Sequence, residues 1–190
     1  MVLRLYLHVN LLSFPDIDVV LKGITVSENS IFMQLTQLLN KNNAKYRVME
    51  HPTAGKSEEV AKIRGTQLGQ GAKGLVCHVK GNGIRQHVLA ILPADKQADL
   101  NKIALAIGGT RASLASPKEV NELTQCVFGA IPPFSFHPNL KLIADPLLFE
   151  RFEELAFNAG TLERSIILNT EDYQRIAKPT LVKFIRIEES

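Results

Sequence analysis

The stretch Ala72–Asp95, AKGLVCHVKGNGIRQHVLAILPAD, limits the fold more than any other. Two apolar runs rich in β-branched residues, Lys73–Val79 and Gln86–Leu92, flank Gly81-Asn82-Gly83. Asn-Gly between such runs favours the left-handed backbone of a tight hairpin turn, so the two runs pair antiparallel. Pro93 lacks the amide needed to extend the second strand. A hairpin here excludes the strict β-α-β alternation of a doubly wound sheet.

The remaining elements fit around that hairpin. An apolar stripe of Ile31, Leu35, Leu38 and Leu39 predicts a helix over Glu28–Lys41, with Ser27 as its N-cap and Asn42-Asn43 as its left-handed stop. A strand is expected at Lys45–Glu50. A short helix opens at Ser57-Glu58-Glu59, acidic residues at its positive end, and closes at Gly65. A helix over Asp99–Ile107 stops at Gly108-Gly109. Ser116-Pro117-Lys118-Glu119 is a capping box with proline at the first helical position. Strands follow at Leu140–Ala144, Glu154–Asn158 and Ser165–Leu168, with a turn of helix at Pro146–Phe149. A helix capped by Thr170 and a final strand at Val182–Ile187 complete the chain. The expected class is α/β (α+β): a single domain with a mixed, largely antiparallel, curved sheet surrounded by helices. Residues 1–26 read as an appended arm, with Leu3, Leu5, Leu7 and Val9 alternating as in an edge strand, and 27–190 as the domain.

Bulk properties exclude some functions. At 45% apolar and 22% charged residues, the 190-residue chain is neither disordered nor of low complexity. No run reaches the roughly 20 apolar residues that span a bilayer. Arg4, His8 and Asn10 interrupt the apolar N-terminus, and no small-residue cleavage site follows, against a secretion signal. A net charge of +3 is compatible with a polyanionic partner without requiring one.

Several residues are candidates for chemistry. Lys73 begins a buried strand, and an ammonium there either snorkels to solvent or faces a pocket that wants a cation. Gly69-Gln70-Gly71-Ala72-Lys73-Gly74 matches G-x-G-x-x-G, but it follows a helix and opens a strand, the reverse of a dinucleotide site. Among His8, His51, His78, His87 and His137, none has metal-ligand spacing to another or to a cysteine. His78 and His87 flank the hairpin and can pair across it. Cys77 reads as a structural thiol. Cys126 has no activating base in its local sequence. The loop Gly129-Ala130-Ile131-Pro132-Pro133-Phe134 is stiffened by prolines. It is either an oxyanion-type wall presenting fixed amides or a plain rigid connection.

Taken in order, SEEVAKIRG, AKGLVCHVKG, the hairpin, VLAILPAD, RASLASPKEV, GAIPPF and a late FNAG resemble the YbaK/prolyl-tRNA-synthetase-associated editing domain family. The likeness spans Ser30 to Ile187 and is greatest to the free-standing YeaK-like branch. It implies trans-acting hydrolysis of the ester on a mischarged tRNA. Water attacks with help from the substrate's ribose hydroxyl, and no metal, cofactor or covalent intermediate takes part. Under it Lys73 orients substrate. Gly129 and Pro133 fall on a Gly-x-x-x-Pro loop that holds the aminoacyl group and the attacking water. Ala130, Ile131, Pro132, Phe134, His137, Asn158, Ala159 and Gly160 join the substrate-binding set. The implied partner is the 3′ aminoacyl end of mischarged tRNA in the cytoplasm, with an aminoacyl-tRNA synthetase as an open second partner.

Two features depart from the family pattern. Gly74 stands where many members have threonine, and GAIPPF lacks the Gly-Gly-Cys-Ser-Pro form of the cysteine-clearing branch. The branch resemblance favours serine as the amino acid, with threonine and alanine open. A non-catalytic module that binds charged tRNA or a synthetase is the alternative, and a thiol hydrolase using Cys126 with His137 is a third reading.

Overall fold

The computed structural model describes residues 30–187. The elements run α1 (Ile31–Lys41), β1 (Tyr46–Glu50), α2 (Ser57–Arg64), a 3-10 turn (Leu68–Gln70), β2 (Ala72–Gly81) and β3 (Ile84–Pro93). They continue with α3 (Leu100–Ile107), β4 (Arg111–Leu114), α4 (Pro117–Thr124), β5 (Leu140–Ala144) and α5 (Leu147–Glu150). The chain then forms β6 (Glu154–Asn158), β7 (Arg164–Asn169), α6 (Thr170–Ala177) and β8 (Thr180–Leu181). The strand expected at Leu3–Val9 and the cap expected at Ser27 lie outside the described residues. The first helix is instead capped by Ser30, whose hydroxyl accepts from the Met33 amide.

The hairpin is the spine of the molecule. β2 and β3 pair antiparallel from Ala72↔Pro93 to Gly81↔Ile84, and Asn82 and Gly83 both take positive φ at the turn. β4 joins β2 antiparallel, while β5 joins β3 and β8 joins β5 in parallel, giving a five-stranded sheet in the order β4-β2-β3-β5-β8. A second sheet, β1-β7-β6, is wholly antiparallel. The fold is therefore mixed and largely antiparallel, divided into two sheets where one was expected. They meet at a parallel bridge between Gly71 and Ala156.

Strand alternation separates two cores. Ala72 and Val76 of β2, with Leu89 and Ile91 of β3, face the larger core. It is completed by Leu35 and Leu39 of α1, Val120 of α4, Leu155 and Phe157 of β6, Ile166 and Leu168 of β7, and Tyr173 of α6. Cys77, Val79, Val88, Ala90 and Leu92 face the other way, onto Ile103 and Ala104 of α3 and onto Phe184. Each fully buried aliphatic or aromatic side chain contributes about 1.5–3 kcal/mol.

Three readings of the chain ends and edges change. The strand expected at Val182–Ile187 does not form: the edge strand is Thr180–Leu181, just before it, and Ile185 makes a single antiparallel bridge to Ala98. Beyond the edge strand, Asp145 Oδ2 accepts from the amides of Phe184 and Ile185, and Arg186 donates its amide to Gln97 O. Those backbone groups are satisfied by a carboxylate and a loop rather than a ladder. β4 is an unanticipated edge strand, short and polar. The cap of α6 is Asn169, whose side chain accepts from the Asp172 amide, rather than Thr170.

Candidate active site

A cavity of about 230 Å³ opens at the seam between the two sheets. Its walls are the start of β2 (Ala72–Leu75), one face of α2 (Ser57, Val60, Ala61, Arg64), the loop residues Phe128, Gly129 and Ile131, and the end of β6 (Ala156–Asn158). The false dinucleotide motif runs into this cavity: it begins inside the 3-10 turn that follows α2 and ends in the first residues of β2.

Lys73 heads β2 and lines the cavity while half-buried. Its Nζ donates to Lys96 O at 2.7 Å. Burial pushes its pKa below that of an ordinary lysine, an effect opposed by the charges of Glu58 and Asp95. Asp95 is itself held in a two-pronged pair with Arg151 at 2.7 and 2.8 Å. So Lys73 neither snorkels freely nor meets a carboxylate at contact distance.

Arg64 is the residue that reading by motif overlooked. Ser57, Val60, Ala61 and Arg64 repeat at i, i+3, i+4 and i+7, so the guanidinium falls on the inward stripe of α2. A charge on an apolar stripe was the available signal. Arg64 is only 8% exposed. Its Nε donates to Ser165 Oγ at 2.8 Å and its Nη2 to Asn158 Oδ1 at 2.8 Å. Both partners are neutral, and burial draws its pKa down to about 10, which leaves it charged at neutral pH.

Asn158 ties this cation to the loop. Its Nδ2 donates to Ala54 O at 2.9 Å and to Gly129 O at 2.8 Å. Gly129 has φ +83, and a Cβ there would stand 2.9 Å from Gly55 O. Only glycine satisfies both the backbone angle and the close approach. Ser165 Oγ also lies 2.7 Å from His51 Nε2, so the network runs from His51 through Ser165, Arg64 and Asn158 to Gly129.

The chemistry follows from what lines the space. Its side chains include two cations, Lys73 and Arg64, and no aspartate, glutamate, histidine or cysteine. Ser57 supplies a hydroxyl, and the lining holds no histidine or carboxylate to activate it. Such a cavity favours negative charge, on a phosphate or an oxyanion.

Of the residues expected at the site, Lys73, Gly129, Ile131 and Asn158 line the cavity. The others stand behind it. Ala130 O accepts from the Gly160 amide, and the Ala159 amide donates to Arg164 O. Pro133 O accepts from Tyr173 Oη at 2.8 Å, and Phe134 packs edge-on against that ring at 5.2 Å. Pro132, Phe134 and His137 border a separate cavity of about 50 Å³ with Ile31 and Gln34. Cys126 is buried, donates its thiol to Thr124 O and is pushed up to about 11 by desolvation. Neither Cys126 nor His137 reaches the main cavity, so the thiol-hydrolase reading has no geometry to support it.

A profile of the aminoacyl-tRNA editing domain family matches residues 51–176, which carry α2, the β2–β3 hairpin, the Gly129 loop and β6. The chain belongs to the aminoacyl-tRNA editing domain family. Two curated relatives of this editing domain, from Escherichia coli K12 and Escherichia coli O157:H7, are each described as a multifunctional Ser/Thr-tRNA deacylase ProXp-y. Each is 68% identical over 153 residues, covering 80% of this chain and 92% of the relative. Among solved structures, the hypothetical protein APE2540 shares the fold at a TM-score of 0.72 and 19% identity, over 80% of this chain and 99% of its own. A candidate trans-editing enzyme for prolyl tRNA synthetase matches at 0.68 and 22%, over 83% and 98%. At those identities the likeness is one of fold. No described helix of the editing domain is long and apolar enough to cross a membrane.

Proposed function

We propose that this chain is a trans-acting aminoacyl-tRNA deacylase that hydrolyses the ester of tRNA mischarged with serine or threonine, in the compartment where tRNA is charged. The observation that carries the reading is the cationic cavity with no carboxylate or histidine in its lining. An aminoacyl ester is already activated, so holding it beside a water and stabilising the developing oxyanion suffices. Lys73 orients the substrate through the terminal adenosine's phosphate or hydroxyls. The Gly129 loop, fixed by Asn158, walls the aminoacyl group. The resemblance to the editing-domain family supplies the last part: the substrate's own ribose hydroxyl, next to the ester, assists the water. The 68% identity to relatives described as Ser/Thr-tRNA deacylases supports the choice of amino acid.

The test is a deacylation screen over a matrix of mischarged tRNAs with wild type and Lys73→Ala side by side. Release of serine and threonine by wild type, lost in a folded Lys73→Ala variant, supports the reading. Saturable tRNA binding with no release across the panel would mark a binding module instead.

A further inference from the structure

We propose that His78, His87 and Glu119 form a site for one divalent transition-metal ion of the zinc class, separate from the cavity. His78 of β2 and His87 of β3 are direct cross-strand partners, and their rings stack 4.4 Å apart at 22°. Glu119 enters from α4. Its Oε2 accepts from the amide and hydroxyl of Ser116, both at 2.8 Å, as part of the helix cap. Those bonds aim Oε1 at the histidines, 3.3 Å from His87 Nε2 and 3.9 Å from His78 Nδ1. The three donor atoms lie within 4.8 Å of one another. Tetrahedral ligands on zinc stand about 3.4 Å apart, so small ring and carboxylate rotations close the set.

The donor chemistry is that of an open zinc site: two imidazoles and one carboxylate, with a position left for water. Oxygen-only cations such as calcium are disfavoured by the two nitrogens. The side chains of His78, His87 and Glu119 retain 18%, 26% and 36% exposure, which leaves an entry path. The site stands four residues along β2 from Gly74, roughly 13 Å at 3.3 Å per residue. A bound ion clamps α4 to the hairpin, and α4 leads directly into the loop that carries Gly129.

The experiment strips the full chain with chelator, then titrates it with zinc chloride by calorimetry and by metal-to-protein ratio after desalting. The expected result is one zinc per chain, with affinity lowered at least tenfold by His87→Ala and severalfold by Glu119→Gln, which keeps a capping side chain. Zinc raises the melting temperature of wild type but not of His87→Ala, and a Cys77→Ser/Cys126→Ser double variant binds as wild type does. If His87→Ala does not fold, His87→Gln takes its place with the same expectation. No stoichiometric uptake, or uptake that survives the histidine change and disappears with the cysteines, overturns the site.

Discussion

The two ends of the β2–β3 hairpin place charged groups in opposite circumstances. At the open end, Lys73 and Arg64 face a cavity with no carboxylate in its lining, and their partners are a backbone carbonyl, a serine and an asparagine. At the turn end, His78 and His87 meet Glu119, whose orientation is fixed by a helix cap. One end holds cations with no carboxylate set against them, and the other sets a carboxylate against its two histidines. A fold tolerates unpaired buried cations at a cost, and that cost is the mark of a place where a ligand supplies the missing charge.

The largest effect that would sharpen this contrast is at Lys73. Lys73→Ala should lower kcat/KM for Ser-tRNA by about 10²–10³, the scale of losing one transition-state donor. It should leave the melting temperature unchanged or raised, because burial disfavours the ammonium in the folded state. A matched fall in stability would make Lys73 a structural residue. Second is a pair of glycine substitutions. Gly129→Ala meets Gly55 O at 2.9 Å with φ +83 and should cost about 1–3 kcal/mol of stability together with most of the activity. Gly83→Ala at the turn has φ +75 with open space around it, and should cost about 1 kcal/mol with activity intact. Equal activity losses would break the distinction between the two ends.

Third, Asn158→Ala removes the donor to Gly129 O and Ala54 O and should cost about 1–3 kcal/mol in urea melts, with a larger loss in kcat than in binding. The smallest effect is in pH. Because burial lowers the Lys73 pKa, the essential cation is lost as pH rises through that depressed value, earlier than for an ordinary lysine. After subtraction of spontaneous hydrolysis, kcat/KM should fall on an alkaline limb, and a profile flat to the ordinary lysine range would contradict it.

Much of this arrangement was legible in the chain. Gly81-Asn82-Gly83 dictated the turn, Ser116–Glu119 the cap of α4, and Lys73 its own strand position, because each depends on residues a few places apart. The division into two sheets was not legible, since β1 pairs with β7 across more than a hundred residues and nothing local encodes that partner. Val182–Ile187 has strand composition, yet Asp145 captures its amides, which only the folded chain brings within reach. Asn158 could be placed near the site from FNAG, but not its bond to Gly129 O. Glu119 was visible as a cap, whereas its second oxygen reaching His78 and His87 depends on how α4 lies on the sheet.

In this mechanism the cavity supplies charge and position while the substrate supplies the assisting hydroxyl. The most direct measurement is single-turnover deacylation of Ser-tRNA ending in 2′-deoxyadenosine against Ser-tRNA with the natural terminus. The expected rate is at least about 10²-fold lower without the hydroxyl, the usual scale of general acid–base assistance. Equal rates on the two substrates would contradict it and place the base in the protein.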